Sequence, residues 1–352
     1  MKKRGLIMLH LMKPKKLKRG DKVATVSLSW GGAGDPRIRW RYEQGKERLK
    51  NVFGLDVVDM PHTLKNPEFV YNHPEARAED LMQAFADPSV KAMISCIGGN
   101  DSIRMLPYID FDVIRDHPKI YTGYSDSTVT HFMCLKSGLS SFYGLSVLND
   151  LAENVAMPEY TVQAAKKVLF ETQEIGAVAV SPVWTGQRLE WAAGNKDAAR
   201  KFEKNTGYEL LQGHGTARGR LIGGCLDVIE MIKGTPLFPD ICSFDRSILF
   251  LETSEECPPP WFVEDFLRGF GIMGIIGKLN GIIFGKPYQL RYYDEYKEMI
   301  RKTLKEFGRD DLPVLYNASF GHNEPKCLIP YGALAEINCE KPGFSILESG
   351  VV

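Results

Sequence analysis

The sequence has no net charge and no closely spaced cysteine pairs. Lys and Arg together number 44, as do Asp and Glu, so the formal net charge is zero. This balance argues against a nucleic-acid-binding surface. The seven cysteines are scattered and never form a C-x-x-C pair, which is typical of free thiols in a reducing compartment. We therefore expect no metal, no cofactor, no nucleic-acid partner and a cytoplasmic location.

Long hydrophobic runs are also missing. No segment approaches the roughly 20 apolar residues that a membrane span needs, so we expect no membrane association. The short apolar run from Gly5 to Met12 lies among basic residues but lacks the small-residue cleavage site of a secretory signal. We interpret residues 1–16 as an N-terminal extension, with Met12 as an alternative start.

The length of 352 residues predicts two domains. Over residues 17–155 strands and helices alternate, which predicts an α/β fold with a doubly covered parallel sheet of the flavodoxin or glutaminase type. We expect residues 156–184 to form a connector and residues 185–352 to form a C-terminal α+β domain that supplies Glu252 and His322. The predicted strands are 22–28, 55–59, 91–97, 120–123, 218–222, 247–251, 281–284, 313–316, 334–337 and 344–347. The predicted helices are 36–53, 74–86, 126–136, 158–170, 226–233, 261–270 and 293–307.

Ser125 lies where the strand 120–123 turns into a helix. Such a corner exposes the hydroxyl beside the N–H groups of the new helix, as an acyl-transfer nucleophile requires. The Asp126 N–H and an N–H of Gly98 or Gly99 would then stabilise the oxyanion. Alternatively, the glycine pair is an ordinary tight turn, and the Asp126 carboxylate is a structural helix cap. The second glycine of a G-x-S-x-G elbow is missing, so the usual α/β-hydrolase fold is not expected.

A serine nucleophile needs a base and an acid that orients it. His322 follows a strand and is flanked by glycine, so its loop has the freedom to enter a site. Glu252 closes an apolar strand, where a carboxylate is poorly solvated unless it has a partner. The alternatives are a solvated loop histidine and a strand-end glutamate that points to water. The other histidines are less suitable: His10, His62, His73, His117, His131 and His214.

An ordered set of short motifs resembles the LD-carboxypeptidase family of serine peptidases, which includes the microcin C immunity proteins. The motifs are Leu17-Lys-Arg-Gly-Asp21-Lys-Val-Ala, Ile97-Gly-Gly99, Gly123-Tyr-Ser125-Asp126, Gly219-Arg-Leu-Ile-Gly-Gly224, Phe250-Leu-Glu252 and Phe320-Gly-His322-x-x-Pro325. The resemblance implies Ser125 as nucleophile, His322 as base and then acid, and Glu252 as the residue that orients His322. It also implies a homodimer. The implied substrate is small and peptide-like, such as a murein tetrapeptide that loses its terminal D-alanine.

A second branch of the family hydrolyses peptidyl- or aminoacyl-nucleotide antibiotics. Residues 185–215 resemble its extra loop, in which a tryptophan stacks on the nucleobase, and Trp191 is the candidate here. The alternative for Trp191 is a buried anchor of a surface loop. Glu255 and Glu256 lie where that branch tends to have a lysine, and they would repel phosphate.

Two further residues are candidates for substrate contact, and two other functions would use the same edge of the sheet. We expect Tyr124 and Asn100 to contact the substrate, because they adjoin the nucleophile and the glycine pair. A non-catalytic protein could use the same edge of the sheet to bind an anion. A glutaminase-like amidase would use the same kind of sheet, but with a cysteine in place of Ser125.

Overall fold

The computed structural model describes residues 10–352. Its first half contains strands β1 (Lys22–Val26), β2 (Asp56–Asp59), β3 (Val90–Ser95), β4 (Ile120–Gly123) and β5 (Phe142–Tyr143). The helices of this half are α1 (Arg39–Phe53), α2 (Pro67–Asn72), α3 (Pro74–Ala86), α4 (Phe111–Asp116), α5 (Thr128–Lys136) and α6 (Glu159–Phe170). Of the predicted extension over residues 1–16, residues 1–9 lie outside the described part of the chain. From there it follows the body of the protein, where the Met12 N–H bonds to the Gly138 carbonyl at 2.7 Å.

The second half begins with β6 (Gly176–Ala177), β7 (Val183–Trp184), β8 (Glu203–Lys204) and β9 (Glu209–Gln212). It continues with β10 (Thr216–Cys225), α7 (Leu226–Ile232), β11 (Ser247–Glu252), α8 (Pro260–Ile272), β12 (Gly281–Gly285) and α9 (Tyr293–Glu306). It ends with β13 (Val314–Ala318), β14 (Ile329–Pro330), β15 (Leu334–Asn338) and β16 (Gly343–Ile346).

The first sheet has the strand order β14-β5-β4-β3-β1-β2. Strands β1 to β5 run parallel, in the order 2-1-3-4-5 that defines flavodoxin-like sheets. In this order the chain reverses direction across the sheet between β1 and β3, and ligands bind beyond the carboxyl ends of the strands there. The residues that follow β1 and β3, including Gly98 and Gly99, therefore lie at the expected position of a binding site.

The second sheet has the order β6-β16-β15-β10-β11-β12-β13-β9. Its central strands β10 to β13 are parallel and are joined by helices, whereas the outer strands are antiparallel. All residues of β11 and β12 are buried, as expected for strands covered on both faces. The fold prediction of a parallel sheet followed by a second α and β unit is confirmed. The parallel centre of the second sheet is a detail that it did not include.

The two sheets are linked through the last part of the chain. Strand β14 lies in the first sheet, where Ile329 pairs antiparallel with Tyr143 of β5. The loop that carries His322 runs from β13 of the second sheet to β14 of the first. This route brings a residue from the rear of the chain over the edge of the first sheet. Within residues 10–352, none of the helices has both the length and the apolar character that a membrane crossing requires.

Candidate active site

The strand-to-helix corner at Ser125 has a strained backbone. β4 ends at Gly123, and Ser125 begins one turn of 3-10 helix that leads into α5. The φ of Ser125 is 62°, a left-handed value. Such a conformation costs a non-glycine residue about 1–3 kcal/mol and is common at nucleophile elbows. The Ser125 N–H donates a hydrogen bond to the hydroxyl of Tyr143 at 3.1 Å, which helps to hold this turn.

Gly98 packs directly against the corner. A Cβ placed on Gly98 would lie 2.9 Å from Ser125 Cβ, 3.1 Å from Ser125 Oγ and 3.4 Å from the Asp126 nitrogen. Gly99 has a φ of 150°, and a Cβ there would collide with Ser29 Oγ. Both positions therefore need glycine for close approach. In the described part of the chain, the Gly98 and Asp126 N–H groups donate to no protein acceptor, so both are available to a substrate oxygen.

The Asp126 side chain binds the loops around Ser125. Its Oδ2 accepts hydrogen bonds from Ser29 Oγ at 2.6 Å, from the Asp101 N–H at 3.1 Å and from the Ser102 N–H at 2.9 Å. Burial raises the pKa of Asp126, although these hydrogen bonds act in the opposite direction. The carboxylate thus connects the loops that follow β1 and β3, whereas the backbone nitrogen of Asp126 lies beside Ser125 and Gly98.

Glu252 and His322 form a buried pair. Glu252 ends β11, and its Oε2 lies 2.7 Å from Nδ1 of His322. The loop that presents the imidazole needs Gly321, which has a φ of 98° and leaves no room for a Cβ beside Glu252. The ring of Tyr124 contacts the imidazole edge-on, with the ring centroids 5.2 Å apart. These contacts fix the orientation of the imidazole.

Glu255 contacts the other nitrogen of the same ring. Its Oε2 lies 2.7 Å from Nε2 of His322, but not in the direction of a hydrogen bond. Burial lowers the pKa of His322, but Glu252 and Glu255 outweigh burial and raise that pKa to about 10. Burial raises the pKa of Glu255, but His322 outweighs it and lowers that pKa to about 2. The position of the imidazole between two carboxylates therefore favours its charged form.

Ser125 and His322 line one cavity of about 270 Å³, which also contains the glycine pair. The structure forms no hydrogen bond between Ser125 Oγ and His322; among residues 10–352, Nε2 has no directed hydrogen-bond partner. The cavity is lined by Trp30, Arg41, Ile97, Gly98, Gly99, Tyr124, Ser125, Asn149, Glu153, Asn154, Gln187, Arg188, Leu189, Trp191, Arg200, Glu255, Tyr288, His322 and Glu324.

Two tryptophans form an aromatic wall of this cavity. The rings of Trp30 and Trp191 are stacked, with centroids 6.4 Å apart and an angle of 25° between the planes. The guanidinium carbon of Arg41 lies 4.7 Å from the centre of the Trp191 ring. Trp40 Nε1 donates to the backbone carbonyl of Trp191 at 3.2 Å. Trp191 is therefore both held by its neighbours and part of the cavity wall.

Buried charges lie behind Tyr124. Lys326 is fully buried, with Nζ 3.1 Å from Asp150 Oδ1 and 2.8 Å from Glu324 Oε1. The same ammonium lies 3.7 Å from the centre of the Tyr124 ring. Burial raises the pKa of Glu324 to about 7, against the opposing effect of Lys326. This cluster places one buried cation between two carboxylates, and one of these, Glu324, lines the cavity.

The structure brings most of the predicted site residues together. The cavity-lining ones are Ser125, His322, Gly98, Gly99, Tyr124 and Trp191. Glu252 lies behind His322, and the Asp126 backbone lies beside Gly98. Asn100 is the exception, because it is exposed and does not line the cavity. Within residues 10–352, no three His, Cys, Asp or Glu side chains are grouped so that they could hold a metal ion.

The sequence reasoning missed several residues of the site. Tyr143, Arg41 and Arg200 were not identified, because they lie outside the motifs found in the sequence. Glu324 was not identified because it occupies an unspecified position of the motif around His322. Arg41, Arg200 and Glu324 are revealed only by lining the folded cavity, and Tyr143 only by its contacts with Ser125 and Glu252. A weak signal existed for Glu324, which lies two residues from His322 in the same loop.

Comparison with known proteins identifies the family. The sequence profile of the LD-carboxypeptidase N-terminal domain matches residues 23–144, and that of the LD-carboxypeptidase C-terminal domain matches residues 218–337. A solved MccF-like protein from Streptococcus pneumoniae, in complex with AMP, is 34% identical with a TM-score of 0.85, over 93% of this chain and 98% of that chain. The microcin C7 self-immunity protein MccF from Escherichia coli is 26% identical over 88% of this chain and 88% of its own length.

A protein from Bacillus subtilis with the name "Probable murein peptide carboxypeptidase" is 27% identical, over 96% of this chain and 95% of its own length. The resemblance that the motifs indicated is thus confirmed over both sheets. The chain belongs to the LD-carboxypeptidase family of peptidases.

Proposed function

We propose that this protein is a serine-type carboxypeptidase that cleaves a small peptide-like substrate through an acyl-enzyme. The observation that supports the proposal is that Ser125, on its strained corner, and His322 line one cavity, with Glu252 bound to His322 from behind. A nucleophile, a base and a group that orients the base are the parts that acyl transfer needs.

The first half of the reaction uses each of these groups once. Once His322 is neutral, its Nε2 takes the proton of Ser125 Oγ, and the oxygen attacks the substrate carbonyl to form a tetrahedral intermediate. The N–H groups of Asp126 and of Gly98 or Gly99 bind the oxyanion. Glu252 holds Nδ1–H of His322 and stabilises the imidazolium that forms. The imidazolium then protonates the leaving amine, and the C–N bond breaks.

The second half regenerates the enzyme. A water molecule enters the position of the departed amine, and His322 takes one of its protons. The resulting hydroxide attacks the acyl-enzyme carbonyl, and the same N–H groups hold the second oxyanion. His322 then returns the proton to Ser125 as the ester bond breaks.

For the substrate, we propose a peptide with a free terminal carboxylate, such as a murein tetrapeptide that loses D-alanine. Three arginines line the cavity, but two of them are occupied by protein groups: Arg41 bonds to Asn154 Oδ1 at 2.7 Å, and Arg200 bonds to Glu153. Arg188 is exposed and forms no hydrogen bond or ion pair within residues 10–352. A guanidinium in this state suits bidentate binding of a carboxylate. The negative charge of Glu255 beside His322 disfavours a phosphate at the reacting centre.

The second candidate is hydrolysis of a peptidyl- or aminoacyl-nucleotide. The stacked Trp30–Trp191 wall favours it, because a flat indole face binds a nucleobase. Structures of the relative MccF hold glutamyl sulfamoyl guanosine and aspartyl sulfamoyl adenosine. Against this candidate stands the carboxylate of Glu255, as above.

Direct comparison of the two substrates tests both candidates. The purified protein is incubated separately with a murein tetrapeptide and with a peptidyl-adenylate mimic, with the Ser125→Ala variant as the control for each. Release of D-alanine by the unaltered protein, but not by Ser125→Ala, supports the carboxypeptidase. Cleavage of only the adenylate mimic supports the second candidate. If neither substrate is cleaved, a binding role of the same cavity replaces both.

We further propose that the protein acts in the cytoplasm as a homodimer, as the family resemblance implies. Light scattering on the purified protein tests the dimer, and fractionation of the source cells tests the location.

A further inference from the structure

Tyr143 connects two parts of the proposed catalytic centre that come from different sheets. Its hydroxyl accepts a hydrogen bond from the Ser125 N–H at 3.1 Å and lies 2.5 Å from Glu252 Oε1. An amide N–H can only donate, so the single phenol proton is free to go to the carboxylate. Tyr143 is fully buried, and Glu252 is only 1% exposed.

We infer that Tyr143 is a positioning residue, which fixes the backbone of the nucleophile and the carboxylate of the acid through one hydroxyl. This inference rests on the proposed function, because it assigns Tyr143 to the same reaction. Glu252 is left with two partners, Tyr143 on Oε1 and His322 on Oε2. The carboxylate therefore cannot rotate without losing one of them.

The hydroxyl also decides which amides reach the substrate. Because the Ser125 N–H is directed to Tyr143, it is not available to an oxyanion, and that role is left to the Asp126 N–H and the glycine pair. The position of Tyr143 is itself fixed by sheet pairing, since β5 lies between β4 and β14. One strand thus sets the distance between the nucleophile and the acid.

The chemical state of the phenol fits this role. The titratable groups that face it are Glu252 on β11, Cys225 at the end of β10, Tyr331 after β14, His131 on α5 and Tyr124 after β4. Burial and then Glu252 raise the pKa of Tyr143 well above its usual value, so the phenol stays protonated and remains a donor. Burial lowers the pKa of His131 to about 3, so this neighbour does not titrate near neutral pH.

The test is Tyr143→Phe, with Tyr121→Phe as the matched control. Tyr121 is equally buried on the adjacent β4, and its hydroxyl has no hydrogen-bond partner within residues 10–352. We expect Tyr143→Phe to lower kcat by about 10- to 100-fold, the loss typical of a hydrogen bond to a charged group, with KM nearly unchanged. Tyr121→Phe should have the activity of the unaltered protein.

The pH profile separates positioning from a structural role. Without the Tyr143 donor the Glu252 carboxylate attracts the His322 proton more strongly, which raises the pKa of His322. The acid limb of the pH profile, over which kcat/KM rises with pH, therefore moves to higher pH. A fall in kcat without that movement means that Tyr143 only supports the fold, and an unchanged kcat removes its role altogether. Either result overturns the inference.

A second variant covers the case in which Tyr143→Phe does not fold. 3-Fluorotyrosine, incorporated at position 143 alone, keeps the shape of the side chain but is a stronger donor. The acid limb should then move to lower pH, and an unmoved limb contradicts the inference. Ser125→Ala distinguishes failure of the inference from failure of the proposed function. If Ser125→Ala retains turnover, the proposed function is wrong. If it is inactive while the Tyr143 variants keep the kcat and pH profile of the unaltered protein, only the inference is wrong.

Discussion

A carboxylate oxygen of Glu255 lies 2.7 Å from Nε2 of His322, the ring nitrogen that does not contact Glu252. In the proposed reaction that nitrogen must take the proton of Ser125. Glu255 is 41% exposed and lies on the loop that follows β11, so its side chain has room to leave. This arrangement thus favours the charged imidazole, and the proposed reaction requires that Glu255 move away or lose its charge.

The first prediction follows from that contact. Glu255→Gln removes one of the two carboxylates that raise the pKa of His322 to about 10. Since the base acts only when neutral, activity rises as the pH passes its pKa, and a lower pKa moves this rise to lower pH. Each unit of the shift should increase kcat/KM at pH 7 by about tenfold. The control is Glu256→Gln, an exposed neighbour that does not line the cavity. An acid limb at the same pH in both variants would show that Glu255 does not control the protonation of His322.

The second prediction concerns the glycine beside the nucleophile. In Gly98→Ala the new methyl group would lie 2.9 Å from Ser125 Cβ, too close to be accommodated without movement. Displacing the serine or the oxyanion donors should lower kcat by about 100-fold or more. Gly277→Ala is the matched control, because a Cβ there meets nothing within 4 Å. Equal kcat values for the two variants would contradict the proposed geometry.

The third prediction separates the two substrate classes at Trp191. If the aromatic wall binds a nucleobase, Trp191→Ala should raise KM for the peptidyl-adenylate mimic by about tenfold or more, because stacking contributes about 1–3 kcal/mol per base. Cleavage of the tetrapeptide should change little. Trp261, which is 60% exposed on α8 and does not line the cavity, supplies the control as Trp261→Ala. An equal loss on both substrates would make Trp191 a structural anchor.

The fourth prediction concerns stability. Lys326→Met removes the buried cation between Asp150 and Glu324 and leaves two carboxylates without it. Breaking a buried ion pair from one side typically costs about 3–5 kcal/mol, which urea unfolding would measure. Arg115→Met, in an ion pair that is half exposed, should leave the unfolding free energy unchanged. Similar unfolding midpoints for the two variants would show that the cluster contributes little.

The sequence was sufficient for elements whose signals are local. Helix α3 has the predicted bounds, because a proline at its first position marks its start. Strand β4 also has its predicted bounds, since a β-branched and aromatic run ends in a glycine. Ser125, Glu252 and His322 could be proposed because each follows or ends a recognisable strand. The motifs shared with the family then implied the role of each residue.

Other features depend on contacts between distant residues. β5 and β14 have two residues each, which is too short for any periodic pattern, and Tyr143 meets Ile329 only in the folded sheet. The role inferred for Tyr143 was therefore not visible in the sequence. Asn100 was predicted from its neighbours Gly98 and Gly99, but it is exposed and does not line the cavity. Adjacency in the sequence does not fix the direction of a side chain in a loop.

The most direct test of the account is active-site labelling. The protein is treated with a fluorophosphonate, and the modified peptide is identified by mass spectrometry. We predict one adduct, on Ser125, which forms far more slowly in His322→Ala and is missing in Ser125→Ala. No adduct on Ser125, together with full turnover by Ser125→Ala, would contradict the assignment of this serine as the nucleophile.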